Sequence, residues 1–249
     1  MHLLITGGAG FVGSNLAIKF KQKYPQYTIT CLDNLKRRGS ELNLPRFRAH
    51  GIQFVHADIR NPEDLSTLDG FDVLIDASAE PSVLAGITSP VAQVVNNNLV
   101  GTVNCLELAK KHQAAFIFLS TSRVYPIQTL EQLSFTETET RFEWSDEQSI
   151  PGVSARGVTE QFPLEGSRSF YGATKLASEL LIQEYQALAN LKTVINRCGV
   201  ITGPWQMGKV DQGVVVLWVA RHFWQKNLKY IGYDGLGKQV RDMLHIQDL

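Results

Sequence analysis

The stretch LLITGGAGFVG, residues 3–13, decides the fold because a short apolar run leads directly into closely spaced glycines. The apolar run predicts a buried strand, and the pattern after the glycines predicts a helix. Gly7, Gly10 and Gly13 therefore occupy a strand-to-helix turn, where a phosphate-binding loop requires bare backbone. The first glycine permits a tight turn, the second lets backbone N–H groups approach a pyrophosphate, and the third allows the helix to pack on the strand.

Strands and helices alternate along most of the chain, as parallel βαβ units require. Apolar runs predict strands at 2–6, 27–33, 52–58, 72–78, 115–122 and 192–197, and helical patterns predict helices at 11–24, 91–112, 170–190 and 211–225. The strands are continuously apolar, which favours a parallel sheet covered by helices on both faces. The predicted fold class is α/β, a doubly wound parallel sheet of the Rossmann type.

The chain divides into two predicted parts. Residues 1–198 form the dinucleotide-binding domain, and within it the polar segment 126–170 shows no clear period and predicts a long active-site loop. Residues 199–249 predict a small, incomplete substrate-binding region, since Asp248 resembles a helix N-cap with no helix after it.

Composition excludes several classes of function. Lys and Arg together number 24, as do Asp and Glu, so the net charge of zero argues against nucleic-acid or anionic-membrane partners. The three cysteines are far apart and form no CxxC or Cys/His cluster, so we expect neither a disulfide framework nor a metal site. No signal peptide or membrane-length apolar run is apparent, and a reducing cytoplasmic location is predicted.

Asp33 ends the second predicted strand, twenty residues after Gly13. A carboxylate at this place can accept hydrogen bonds from both adenosine ribose hydroxyls of NAD. Lys36, Arg37 or Arg38 could instead hold the 2′-phosphate of NADP. Because Asp33 would repel that phosphate, NAD is the predicted cofactor.

Tyr171 and Lys175 lie four residues apart in a helical pattern and therefore share one helix face. A lysine ammonium beside a phenol lowers its pKa, so Tyr171 could accept a hydroxyl proton while hydride leaves the same carbon. Thr121 ends the fifth predicted strand, at the sheet edge where ligands bind in such folds, and could hydrogen-bond the reacting oxygen.

The motifs TGGAGFVG, LDN, HADIR, NLVGT, STSRVY and YGATK, taken in this order, resemble the extended short-chain dehydrogenase/reductases. The resemblance covers essentially the whole chain and implies an NAD-dependent epimerase of nucleotide sugars, a homo-oligomer built as a dimer or tetramer. The stretches TETETRF and GKQVRDMLH resemble members acting on CDP-sugars, which implies epimerisation at C2 of a CDP-3,6-dideoxyhexose, in a lipopolysaccharide O-antigen setting.

Matching positions imply roles for individual residues. By this resemblance, Gly7, Gly10, Phe11, Val12 and Gly13 line the pyrophosphate; Asp33 and Asn34 meet the ribose; Asp58 and Ile59 meet the adenine; Ala77, Ser78, Asn98, Tyr171 and Lys175 complete the cofactor site; and Thr121 and Arg241 face the substrate. The chain also departs from the family, because Asp76 stands where a histidine is usual and Pro126 follows Val-Tyr in place of glycine.

Other reactions remain open at this point. Dehydratases typically place Asp-Glu directly after the catalytic threonine, and here Ser122 and Arg123 follow Thr121, which argues against dehydration. Neither 4-epimerisation nor simple reduction is excluded. A dinucleotide-binding regulator without turnover is a further alternative, although an intact Tyr171, Lys175 and Thr121 set counts against it.

Overall fold

The computed structural model describes residues 1–68, 70–208 and 213–249. Its centre is one six-stranded sheet in which every neighbouring pair is parallel. The strands are β1 (His2–Thr6), β2 (Thr28–Asp33), β3 (Gln53–His56), β4 (Val73–Asp76), β5 (Ala115–Thr121) and β10 (Thr193–Cys198). Their order, β10-β5-β4-β1-β2-β3, confirms the doubly wound Rossmann arrangement.

Helices cover both faces of this sheet. The helices of the described chain are α1 (Phe11–Lys23), α2 (Leu44–His50), α3 (Pro62–Ser66), α4 (Val91–Val95), α5 (Gly101–Lys111), α6 (Ile127–Glu131), α7 (Phe170–Ala189) and α8 (Val214–Phe223), of which α1, α2, α5 and α7 pack on the sheet. One apolar cluster packs α5 and α7 on the sheet through Leu74, Leu106 and Phe116. A second packs α1 and α2 on the opposite face through Ile5 and Phe47. Burial on both faces explains why the strands are continuously apolar.

The helix predicted over 91–112 is not uniform. Between α4 and α5, residues Asn96–Val100 form a π-helical turn, which accommodates one extra residue. The helix predicted over 211–225 is observed as α8, and its first residues, 211 and 212, lie outside the described residues.

The segment 126–170 has more local structure than the predicted loop. After α6 come two small antiparallel hairpins, β6 (Phe135–Glu137) with β7 (Phe142–Trp144), and β8 (Val153–Ser154) with β9 (Gly157–Val158). Beyond β10, the parallel pair β11 (Val200–Thr202) and β12 (Met243–His245) stands apart from the main sheet. None of the helices in the described ranges is long and apolar enough to cross a membrane.

Candidate active site

The glycine turn joins β1 to α1 against the end of β4. Gly7 has φ +61°, and a Cβ there would lie 2.7 Å from the Ala77 carbonyl oxygen. A Cβ on Gly13 would lie against the Gly7 carbonyl oxygen and 2.7 Å from the Gly8 Cα. Gly10 is the N-cap of α1 and provides no side-chain cap for the first helical turn. The turn therefore leaves a bare backbone cradle at a helix N-terminus, which suits a pyrophosphate.

Asp33 lies at the end of β2, beside this cradle. One carboxylate oxygen accepts a hydrogen bond from the Ala9 N–H (3.1 Å) and the other from the Leu35 N–H (2.8 Å). Burial raises the pKa of Asp33, although these N–H donors act in the opposite direction. Each oxygen keeps a further lone pair, so the carboxylate can brace the glycine turn and still accept ribose hydroxyls.

Asn34 and Asp58 meet at the ends of β2 and β3. The Asn34 side-chain amide donates to Asp58 (3.0 Å), and the Arg60 guanidinium donates to both oxygens of the same carboxylate (2.9 and 2.5 Å). These bonds hold the pKa of Asp58 well below its usual range, with Arg60 the largest cause. Ile59 is buried, and its carbonyl accepts a bond from Asn104 on α5 (2.8 Å). The structure thus brings together the residues expected at the adenosine.

Arg37 does not extend freely toward this adenosine end. Its guanidinium donates to the Met207 carbonyl oxygen (3.0 Å), in a loop 170 residues later in the chain. Lys36 and Arg38 are exposed. Together with the Asp33 carboxylate, the engagement of Arg37 favours NAD over NADP.

The loop 203–208 that receives Arg37 also contacts α1 and α2. The Asn15 amide donates to the Pro204 carbonyl oxygen (3.1 Å), and the Arg46 guanidinium stacks on the Trp205 ring at 4.1 Å. Arg46 in turn donates to Asn43 (2.6 Å). This closure next to the glycine turn was not predicted, because the sequence pattern gives no sign of which distant loop would reach α1.

Tyr171 and Thr121 meet at the carboxyl end of the sheet. Helix α7 begins just before Tyr171, and its N-cap Ser169 accepts a bond from the Gly172 N–H (3.1 Å). Thr121 is buried at the end of β5, and its hydroxyl lies close enough to the Tyr171 phenol to lower the pKa of that phenol. Gly172 packs against the Arg123 carbonyl oxygen, where a Cβ would have no room.

Lys175 lies one turn after Tyr171, with only 2% of its surface exposed. Its Nζ donates to the Leu119 carbonyl oxygen (2.9 Å) and lies 4.2 Å from the centre of the Phe118 ring. Burial lowers the pKa of this ammonium, while Asp76, Cys198 and Glu179 act to raise it.

The electrostatics around Tyr171 differ from the sequence-based expectation. Burial raises the pKa of Tyr171, and the groups that lower it are the Thr121 hydroxyl and the Arg123 guanidinium. Lys175, expected to be the cation that lowers this pKa, instead engages a strand carbonyl. From the sequence, Arg123 served only as evidence against dehydration. Its proximity to the phenol was missed because it depends on how α7 packs against the turn after β5.

Asn98 lies in the π-helical turn and is fully buried. Its side chain accepts from the Glu80 N–H (2.7 Å) and donates to the Glu80 carbonyl (3.1 Å) and to the Thr174 hydroxyl (3.3 Å). Asn98 therefore ties the central helix to α7 and to the segment after Ala77 and Ser78.

Arg241 lies just before β12 with its guanidinium exposed. It donates to the Gln239 side chain (2.7 Å) and to the Val240 carbonyl (3.0 Å). In the described part of the chain, no three His, Cys, Asp or Glu side chains lie together in a group that could hold a metal ion.

Comparison with known proteins assigns the family. Residues 3–249 match the model of the NAD dependent epimerase/dehydratase family. The chain belongs to this family. It is accordingly an enzyme of the epimerase/dehydratase type with NAD as cofactor, and the bare cradle and the Asp33 carboxylate are groups that fit a pyrophosphate and a ribose.

Individual family members show how far the similarity extends. The chain is 34% identical to CDP-paratose 2-epimerase from Salmonella typhi, covering 100% of the chain and 72% of that protein. It is 27% identical to dTDP-glucose 4,6-dehydratase from Mycobacterium tuberculosis, covering 100% of the chain and 66% of that protein. The solved structure of UDP-glucuronic acid 4-epimerase from Bacillus cereus, in complex with UDP-glucuronic acid and NAD, is similar with a TM-score of 0.74 and 26% identity, covering 100% of the chain and 70% of that structure. The chain thus spans 66 to 72% of the length of these family members.

Proposed function

We propose that the chain is an NAD-dependent nucleotide-sugar epimerase that acts on a CDP-sugar at C2. The contact between Tyr171 and Thr121, at the same sheet edge as the glycine turn, carries the proposal that a sugar hydroxyl reacts here. The 34% identity with CDP-paratose 2-epimerase supports the choice of sugar nucleotide and of carbon.

Each side chain has a distinct task in this proposal. Thr121 hydrogen-bonds the C2 oxygen of the sugar, and Tyr171 as phenolate removes the hydroxyl proton. NAD, held by the glycine turn and Asp33, would supply the reversible hydride chemistry by which C2 is inverted. Tyr171 then gives the proton back to the oxygen, so the cycle consumes neither protons nor cofactor. Lys175, one helical turn after Tyr171, adds its positive charge to that of the Arg123 guanidinium, which acts on the phenol more directly.

The turn after Thr121 argues against dehydration. A 4,6-dehydration needs an additional acid and base at the reacting carbons. Ser122 and Arg123 occupy the two positions after Thr121, and neither side chain carries a carboxyl group. The Arg123 guanidinium instead stabilises the phenolate form of Tyr171.

Three further assignments are part of the same proposal. Residues 1–198 serve as the NAD domain and 199–249 as a partial substrate-binding region, to which Arg241 contributes a diphosphate contact; the separate β11–β12 pair supports this division. A dimer or tetramer is proposed to form through the helices on one face of the sheet, where Leu180 and Leu188 of α7 are exposed. The cytoplasm remains the predicted location.

The experiment incubates the purified protein with CDP-paratose and follows the sugar by proton NMR. We expect the C2 epimer to accumulate to an equilibrium mixture without net absorbance change at 340 nm. Tyr171→Phe should retain NAD and lose at least about 100-fold in kcat, since general acid–base catalysis contributes this much. Tyr185→Phe on the same helix is the matched control and should keep full turnover.

Two outcomes would contradict the proposal. Wild-type kcat in Tyr171→Phe would refute the proton-transfer role. An unchanged CDP-paratose signal, with conversion of UDP-glucose at C4 or of dTDP-glucose to its 4-keto-6-deoxy product, would refute the assigned substrate and reaction.

A further inference from the structure

Asp76 is a fully buried carboxylate, with 0% of its surface exposed, at the end of β4. It accepts hydrogen bonds from the hydroxyls of Thr6 (2.7 Å) and Thr102 (2.9 Å) and from the Ser78 N–H (3.1 Å). All three donors are neutral, so these bonds satisfy the oxygens without balancing the charge. An uncompensated carboxylate in such a place is costly.

Lys175 of α7 carries the opposite charge and lies over the strand next to Asp76. In the sheet register Asp76 lies beside Phe118 of β5, and the Lys175 ammonium lies over that same phenylalanine ring, bonded to the adjacent Leu119 carbonyl. The Lys175 ammonium of α7 therefore lies over the strand residue that pairs with Asp76 in the sheet.

Buried polar contacts also link the surroundings of Asp76 to α7. The Thr102 hydroxyl that donates to Asp76 lies 3.0 Å from the Asn98 carbonyl oxygen, and the Ser178 hydroxyl of α7 donates to that carbonyl (2.9 Å). The Asn98 amide reaches Thr174, next to Lys175. Asp76 is thus held in a fixed position relative to the helix turn that carries the ammonium.

The other titratable groups around Lys175 contribute less than Asp76. Glu179, on the same helix, already forms an ion pair with Arg197 at 2.7 Å. Cys198 comes from β10, and burial raises the pKa of its thiol, which favours the neutral form. On its other side, Asp76 faces the buried Cys105 of α5, whose thiol pKa it helps to raise.

We propose that Asp76 is the counter-charge that keeps Lys175 in its ammonium form, and so acts as a positioning residue for the Tyr171–Lys175 pair. The expected effect on catalysis rests on the proposed function, whereas the effect of Asp76 on the charge of Lys175 does not. Among the groups that oppose the effect of burial on the pKa of Lys175, Asp76 is the largest. Without it, a lysine buried this deeply tends to lose its proton.

The test measures the pKa of Lys175 directly, by NMR of protein with isotopically labelled lysine. The resonance is assigned by its loss in Lys175→Arg. In Asp76→Asn we expect the pKa of Lys175 to fall by about one unit or more, the Coulomb effect of one charge several ångströms away at an effective dielectric constant of ~20. The high-pH limb of the kcat profile should move down by the same amount, because the ammonium is lost at lower pH.

Asp72→Asn is the matched control. Asp72 precedes the same strand at its opposite end, where its exposed carboxylate accepts a bond from the His2 N–H. This substitution should leave both the Lys175 pKa and the kcat profile unchanged. Asp76→Glu keeps the charge and should restore most of the Lys175 pKa.

The outcomes separate this inference from the proposed function. An unchanged Lys175 pKa in Asp76→Asn overturns the inference, even if Tyr171→Phe abolishes turnover. A lowered Lys175 pKa with full activity in Tyr171→Phe supports the inference and refutes the proposed chemistry. If Asp76→Asn does not fold, the wild-type protein still decides, because a Lys175 that is neutral at pH 7 overturns the inference.

Discussion

Breaking the ion pair between Glu179 and Arg197 should cost a large share of the stability of the chain. Glu179 is 1% exposed and Arg197 17% exposed, and the guanidinium donates to both carboxylate oxygens at 2.7 to 3.2 Å. Glu179 also accepts a hydrogen bond from the Ser120 hydroxyl, next to Thr121. On its other side Arg197 donates to the Tyr125 hydroxyl (3.3 Å) at the start of the 126–170 segment.

The substitution Glu179→Ala removes the acceptor and leaves the guanidinium half-satisfied in a nearly dry site. Breaking a buried ion pair in this way lowers the free energy of unfolding by about 3–5 kcal/mol. Because Arg197 is partly exposed, we expect a loss of about 3 kcal/mol. For a chain of this size that loss corresponds to a fall in Tm of about 6–12 °C.

Urea unfolding followed by circular dichroism, with calorimetry for Tm, measures the effect. Glu184→Ala, at an exposed site on the same helix, is the control and should change the free energy of unfolding by less than about 0.5 kcal/mol. The double variant Glu179→Met with Arg197→Met should recover most of the loss, because an apolar pair can replace a buried ion pair. A Glu179→Ala protein as stable as wild type would refute the reasoning.

Two further predictions concern the cofactor site. Gly13→Ala should abolish the retention of NAD, measured by the absorbance of the purified protein, because the added Cβ would press on the Gly7 carbonyl. The control Gly70→Ala, whose Cβ would lie 3.8 Å from its nearest neighbour, should retain NAD. The affinity for NAD should fall as the pH is lowered through the pKa of Asp33, which lies above the ordinary aspartate value near 4. The reason is that a protonated carboxyl cannot accept hydrogen bonds from both ribose hydroxyls. A Kd for NAD, measured by calorimetry, that stays unchanged from pH 8 to pH 4 would contradict this prediction.

The central sheet could be predicted because its physical cause is local. Strands buried on both faces need continuous apolar runs, and the runs at 2–6 and 115–122 match β1 and β5 to within one residue. The turn at Gly7 could be predicted for the same reason, since its φ of +61° is a backbone conformation that glycine adopts more readily than other residues.

The structure of segment 126–170 could not be predicted, because the contacts that fix it come from distant parts of the chain. Its first hairpin is anchored by Lys238, which donates to Glu137 (2.8 Å) from 101 residues later in the chain. Strands of two or three residues carry too little periodicity to identify from their own sequence.

In the active site, too, features set by local sequence could be predicted and features set by tertiary contacts could not. Tyr171 and Lys175 follow from helical spacing and were predicted together. The placement of Lys175 over Phe118, the register partner of Asp76, follows from the pairing of β4 with β5 and from the packing of α7, neither of which a single sequence specifies. The engagement of Arg37 by Met207 likewise depends on a tertiary contact.

The π-helical turn at Asn96–Val100 restricts how this part of the chain can change in length during evolution. Deleting one residue there would restore a regular helix but rotate the residues inside the turn, including Asn98, by about 100° relative to the flanking halves. The Asn98 amide could then no longer face Glu80 and Thr174 while its carbonyl accepts from the Ser178 hydroxyl. Insertions and deletions should therefore accumulate in connecting segments such as 126–170. The helical segment from α4 to α5 should accept substitutions but keep its number of residues.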